Sequence, residues 1–91
     1  MRLFNTIAVF DVFVVANTGD SAREALLAWI HGETLEPNEI VAVEVSRSAA
    51  IRAACRELSP IVAADVSDSE YAEVLGKTTI EIFQYIYEKR G

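Results

Sequence analysis

Residues 7–30 read IAVFDVFVVANTGDSAREALLAWI, and their reading decides the fold. From Ile7 to Ala16 the chain is rich in Val and Phe and holds neither Gly nor Pro, which is the composition of a β-strand. One face of that strand would carry Phe10, Val12, Val14 and Ala16; the other would carry Ile7, Val9, Asp11, Phe13 and Val15. Both faces are apolar apart from Asp11, so the strand is expected to be covered on both sides, with Asp11 needing a partner or an edge position. Asn17-Thr18-Gly19-Asp20 has turn composition. Ser21-Ala22-Arg23-Glu24 then has the spacing of a capping box, in which Ser21 accepts from a first-turn amide and Glu24 reaches back. Ala22, Ala25, Leu26, Trp29 and Ile30 follow at helical spacing, and Gly32 stops the helix.

Working outward, Ile40 to Val45 alternates, with Val41, Val43 and Val45 on one face, and predicts a second, half-buried strand. Strand, helix and strand in that order form a βαβ unit, right-handed if the two strands are parallel neighbours. Ala49, Ala50, Ile51, Ala53, Ala54 and Leu58 mark a second helix, and residues 61–66 read as a further helical turn. Ser67/Glu70 and Thr78/Glu81 repeat the capping-box spacing. Behind them, Tyr71, Val74 and Leu75 form one apolar stripe, and Ile80, Phe83, Ile86 and Tyr87 form another. The expected fold is therefore a single α+β domain over 1–91. It has two strands, at about 7–16 and 40–45, and three to four helices, at about 21–31, 47–58, 68–75 and 79–89.

The chain has 91 residues and a hydrophobic fraction of 52%, slightly above the usual range for soluble domains. A domain this small has apolar surface to spare, and a second chain is one way to cover it. A homodimer is expected, with the apolar strand or the C-terminal helix in the contact. The net charge of −6 argues against nucleic acid and against anionic membrane surfaces, both of which need a basic footprint. One cysteine, Cys55, and one histidine, His31, exclude an intrachain disulfide and a Cys/His zinc site. With no apolar leader at residues 1–6 and no long apolar run, a cytoplasmic protein without cofactor is expected.

Motifs for chemistry are incomplete. Gly76-Lys77-Thr78 has the ending of a phosphate-binding loop, but Tyr71 stands where the first glycine belongs, so a helix stop followed by a helix start is the preferred reading. Asp65, Ser67, Ser69 and Glu73 have calcium-loop spacing, but Glu70 replaces the turn glycine and Gly76 the bidentate Glu. No nucleophile accompanies His31, whose place at a helix end is explained by the dipole. Cys55 in its alanine-rich helix reads as a small buried residue, and Trp29 as core. These absences predict a protein that is not an enzyme.

Charge is uneven. Glu24, Glu33, Glu36, Glu39 and Glu44 form one run without a base, and Glu57, Asp65, Asp68, Glu70 and Glu73 form another. From these, Glu33, Glu36, Glu39, Glu44, Asp65, Asp68, Glu70 and Glu73 are the candidate partner-binding residues, on a negative face that would steer onto a basic protein surface. Tyr85, off the apolar stripe of its helix, is the candidate aromatic anchor. Phe13 to Ile30, F-V-V-A-N-T-G-D-S-A-R-E-A-L-L-A-W-I, resembles the strand-then-capped-helix opening of small phage and prophage accessory proteins, anti-CRISPR proteins among them. The resemblance implies an inhibitor that binds a nucleic-acid-handling host protein and occludes its basic surface; it carries over no residue roles. The alternative is a structural or regulatory accessory subunit that makes its contact through apolar surface.

Overall fold

A computed structural model describes residues 1–8, 11–30 and 35–89. The chain runs β1 (Arg2–Ile7), β2 (Asp11–Ala16), α1 (Gly19–Trp29), a 3-10 turn (Pro37–Glu39), β3 (Val41–Glu44), α2 (Arg47–Cys55), β4 (Ile61–Val62), α3 (Asp68–Val74) and α4 (Thr79–Lys89). The expected α+β class holds, but the sheet has four strands in the order β3-β1-β2-β4 rather than two.

The two missing strands have separate causes. The apolar run expected to be one strand over 7–16 instead reverses: Ile7 pairs with Asp11, and β1 and β2 form an antiparallel hairpin. Val9 and Phe10 lie outside the described residues. The reversal carries no Gly, Pro or Asn between Ile7 and Asp11, so composition alone could not place it. Asp11 thereby sits exposed at the hairpin end, where its charge stays solvated. The second missed strand is β4. Ile61 and Val62 pair parallel to Val14 and Val15 and do not form the expected helical turn, because the flank of β2 offers two backbone ladders to an apolar pair.

β1 is antiparallel to both β2 and β3, so β2 and β3 run parallel with β1 between them. The expected βαβ unit is present in split form: α1 crosses over β1 to connect strands that are not neighbours. This also places the apolar strand β2 inside the sheet, which removes it as an edge for self-association.

Both faces of the sheet are covered. Phe4, Val14 and Ala16 pack with Ala22 of α1 and Ala63 on one side. Leu3 and Val15 pack on the other with α2 (Ala50, Ala53, Ala54), α3 (Val74) and α4 (Ile82, Phe83, Ile86). Val14, Val15, Ala22 and Leu26 are fully buried. The one fully buried polar side chain, Thr6, donates its hydroxyl proton to the Val12 carbonyl at 2.8 Å, so its burial leaves no donor unmet. No helix among the described residues is long and apolar enough to cross a membrane.

Helix boundaries follow their caps. The first helix starts two residues earlier than expected because Thr18, not Ser21, is the N-cap: Thr18 accepts from the Ser21 amide and Ser21 returns the bond. Ser67/Glu70 forms the expected box on α3, and Thr78/Glu81 makes the reciprocal bonds ahead of α4. α2 ends at Cys55, short of the expected residue 58. Two residues after that end, Glu57 takes a left-handed conformation, with φ at 57°, while its amide bonds the Ala54 carbonyl. The expected helix stop Gly32 and the helix-end residues His31 and Arg90 lie outside the described residues.

Candidate partner-binding surface

The acidic residues do not gather on one face. Glu36, Glu39 and Glu44 are exposed around β3, at one edge of the sheet. Glu33 lies outside the described residues. Asp65 follows β4, at the opposite edge, and its carboxylate is engaged within the fold: it accepts from the Asn17 amide at 3.1 Å and from the Ser21 hydroxyl at 2.5 Å. The Asn17 side-chain amide donates in turn to the Asp65 carbonyl at 2.8 Å. These bonds tie the start of α1 to the end of β4.

On α3, Glu70 closes the capping box with Ser67 and stands 3.8 Å from the N-terminal ammonium of Met1. Asp68 is exposed in the first turn of the same helix. Glu73 lies beside Tyr85 of α4, and this is where the structure joins residues that sequence nominated separately. The half-buried Tyr85 ring lies under the ammonium groups of Lys77 and Lys89, 5.9 and 5.6 Å from its centroid. Burial, followed by the neighbouring Glu73 and Glu70 carboxylates, raises the Tyr85 phenol above its ordinary value. Glu70, Glu73 and Tyr85 thus form a patch of mixed sign that holds α3 to α4, not a bare negative surface.

The largest exposed apolar area lies elsewhere and was missed by sequence reasoning. Ile51 and Leu58 from α2 and the loop after it, Tyr71 and Leu75 from α3 and its end, and Ile80 from α4 are between 39% and 65% exposed. They border two adjoining concavities on the helical layer. The larger, of about 640 Å³, is lined by Pro60, Val62, Tyr71, Leu75, Lys77 and Ile80 among others. The smaller, of about 290 Å³, runs between α2 and α4 past Arg47, Ile51, Phe83 and Gln84. Ala54 and Ile80 belong to both. The predicted stripes were the available signal. Each is wider than the sheet can cover, so Val74, Phe83 and Ile86 turn inward while Tyr71, Leu75 and Ile80 stay outside.

Two further expectations are corrected by exposure. Cys55 is exposed, because the inward positions of α2 are taken by Ala50, Ala53 and Ala54. Trp29, expected in the core, is half exposed at the last turn of α1. There it lines a concavity of about 520 Å³ with Ala25, Ile61 and Asp65. Gly76 ends α3 at φ 80°, and Thr78 caps α4 directly after it, so Gly76-Lys77-Thr78 is a helix stop and start. Among the described residues, no three His, Cys, Asp or Glu side chains are grouped to hold a metal ion.

No family model, no curated protein and no solved structure matches this chain.

Proposed function

We propose that this chain is a non-catalytic protein-binding module, an accessory subunit that takes its partner on the helical layer over α2, α3 and α4. The observation that carries the reading is the pair of adjoining concavities bordered by Ile51, Tyr71, Leu75 and Ile80. Apolar side chains clustered at a concave surface favour burial by another chain over exposure to water. The occupant that fits is an amphipathic segment with an apolar ridge and carboxylates at its margins. Arg47 and Lys77 line the two concavities, and Arg52 and Arg56 are exposed on α2 beside them. The inhibitor reading, with the acidic residues leading onto a basic surface, draws less support, because those acids are divided between opposite edges of the sheet or engaged within the fold.

A display library of amphipathic helical peptides, varied in the charge flanking the apolar ridge, separates the two. The proposal expects acid-flanked binders whose affinity is lost in Ile80→Lys and kept in the triple variant Glu36→Lys, Glu39→Lys, Glu44→Lys. Selection of Lys- or Arg-rich binders, lost in the triple variant and kept in Ile80→Lys, would reject it and favour the inhibitor reading.

A further inference from the structure

The outer side of β3 is a strand edge that no described residue pairs, and its geometry is self-complementary. The Val45 amide donates to the Leu3 carbonyl at 2.9 Å, which fixes the alternation along β3. Val41 and Val43 turn their backbone groups toward β1, so the amides and carbonyls of Ala42 and Glu44 point outward. Ile40, one step earlier, is already engaged: its amide bonds the Pro37 carbonyl and its carbonyl accepts from Arg23 Nε at 3.0 Å. The edge therefore offers two residues, each with one donor and one acceptor.

We propose that β3 pairs antiparallel with β3 of a second copy about a two-fold axis at Val43, joining two four-stranded sheets into one. That register uses all four outward groups, because Ala42 of each copy faces Glu44 of the other. It sets the two Val43 side chains directly opposite each other. These are 51% exposed in the single chain and lie on the face that also carries Val41, at 54%, and Ile7, at 38%. Charge is complementary in the same register. Arg23 lies over Ala42: a Cβ placed on Gly19 would meet Arg23 Nη1 at 3.6 Å and the Ala42 Cβ at 3.8 Å. Glu44 of the second copy, opposite Ala42, is thereby brought to the Arg23 guanidinium. The surface is separate from the helical-layer concavities, so the dimer stands or falls independently of the proposed function.

The register gives a sharp test. Residues directly opposite in such a pair have Cα atoms roughly 4.5–5.5 Å apart, within disulfide reach, whereas the two Val41 positions are offset by about 13 Å along the strands. In a Cys55→Ser background, Val43→Cys should oxidise to a covalent dimer and Val41→Cys should not. The native chain should show a dimer mass in light scattering at high micromolar concentration. Ala42→Pro removes an outward amide from each copy while leaving the β1 ladder intact, so dimer affinity should fall about ten- to a hundred-fold. A monomer mass for the native chain, or equal crosslinking of the Val41→Cys and Val43→Cys variants, would overturn the proposal. If Ala42→Pro does not fold, the crosslinking pair alone decides.

Discussion

Gly76→Ala isolates a backbone effect at the wall of the larger concavity. Gly76 has φ of 80°, and the flanking residues Leu75 and Lys77 both line that concavity. A Cβ placed there would meet nothing within 4 Å, so neither clash nor new packing enters the balance. Two terms remain. A left-handed backbone costs an L-residue roughly 1–2 kcal/mol. Alanine also narrows the unfolded ensemble relative to glycine, which returns about 0.4–1 kcal/mol. The net expectation is a destabilisation of about 0.5–1 kcal/mol, lowering Tm by roughly 2–6 °C in a domain of this length. Glu57→Gly is the mirror experiment. Glu57 holds φ at 57° with a side chain present, so removing that side chain should stabilise by a similar amount. Urea and thermal denaturation of both variants, followed by circular dichroism, measure the two changes. Shifts of the same sign, or a Gly76→Ala variant as stable as the native chain, would refute the backbone argument.

Three further outcomes are expected. The Glu81 carboxyl is held below its ordinary value, first by the Thr78 hydroxyl and then by the Thr78 amide. Its contribution to stability is therefore present above the unfolded value near 4.5 and lost as pH falls through the folded one; carboxyl titration by NMR should show the low midpoint, and Thr78→Val should move it back up. The Tyr85 phenol, raised by burial and by Glu73, should titrate above 10 in its ring resonances and shift downward in Glu73→Gln. Because the folded chain then binds the proton more tightly than the unfolded one, stability should decline as pH rises past that value. Asp65→Ala removes acceptors of the Asn17 amide and the Ser21 hydroxyl and should cost about 1–2 kcal/mol in urea denaturation, with Asp65→Asn in between.

The helices were legible because their caps are local. Ser67/Glu70 and Thr78/Glu81 declare themselves within four residues, and α4 runs over the predicted 79–89. The sheet was less legible because its partners are distant or its turns unmarked. The β1–β2 reversal carries no turn residue between Ile7 and Asp11, and β4 is a two-residue strand that exists only through its pairing with Val14 and Val15. Apolar residues in β3 were read as a buried face, yet β3 lies at the sheet edge, where Val41 and Val43 stay half exposed. The candidate site shows the same limit. Acidic runs are visible along a sequence, but whether Glu44 and Asp65 share a surface depends on strand order. Likewise, the helical stripes gave the apolar positions but not which of them the sheet would leave uncovered.

The central claim is that the partner sits on the helical layer by apolar contact. Backbone amide shift mapping tests it most directly, with an acid-flanked peptide from the display selection titrated into the isotope-labelled chain at low and high salt. The account predicts perturbations centred on Ile51, Tyr71, Leu75 and Ile80, with affinity that changes little with salt, because burial of apolar area is not screened. Perturbations centred on Glu36 to Glu44, with affinity falling steeply as salt rises, would contradict it.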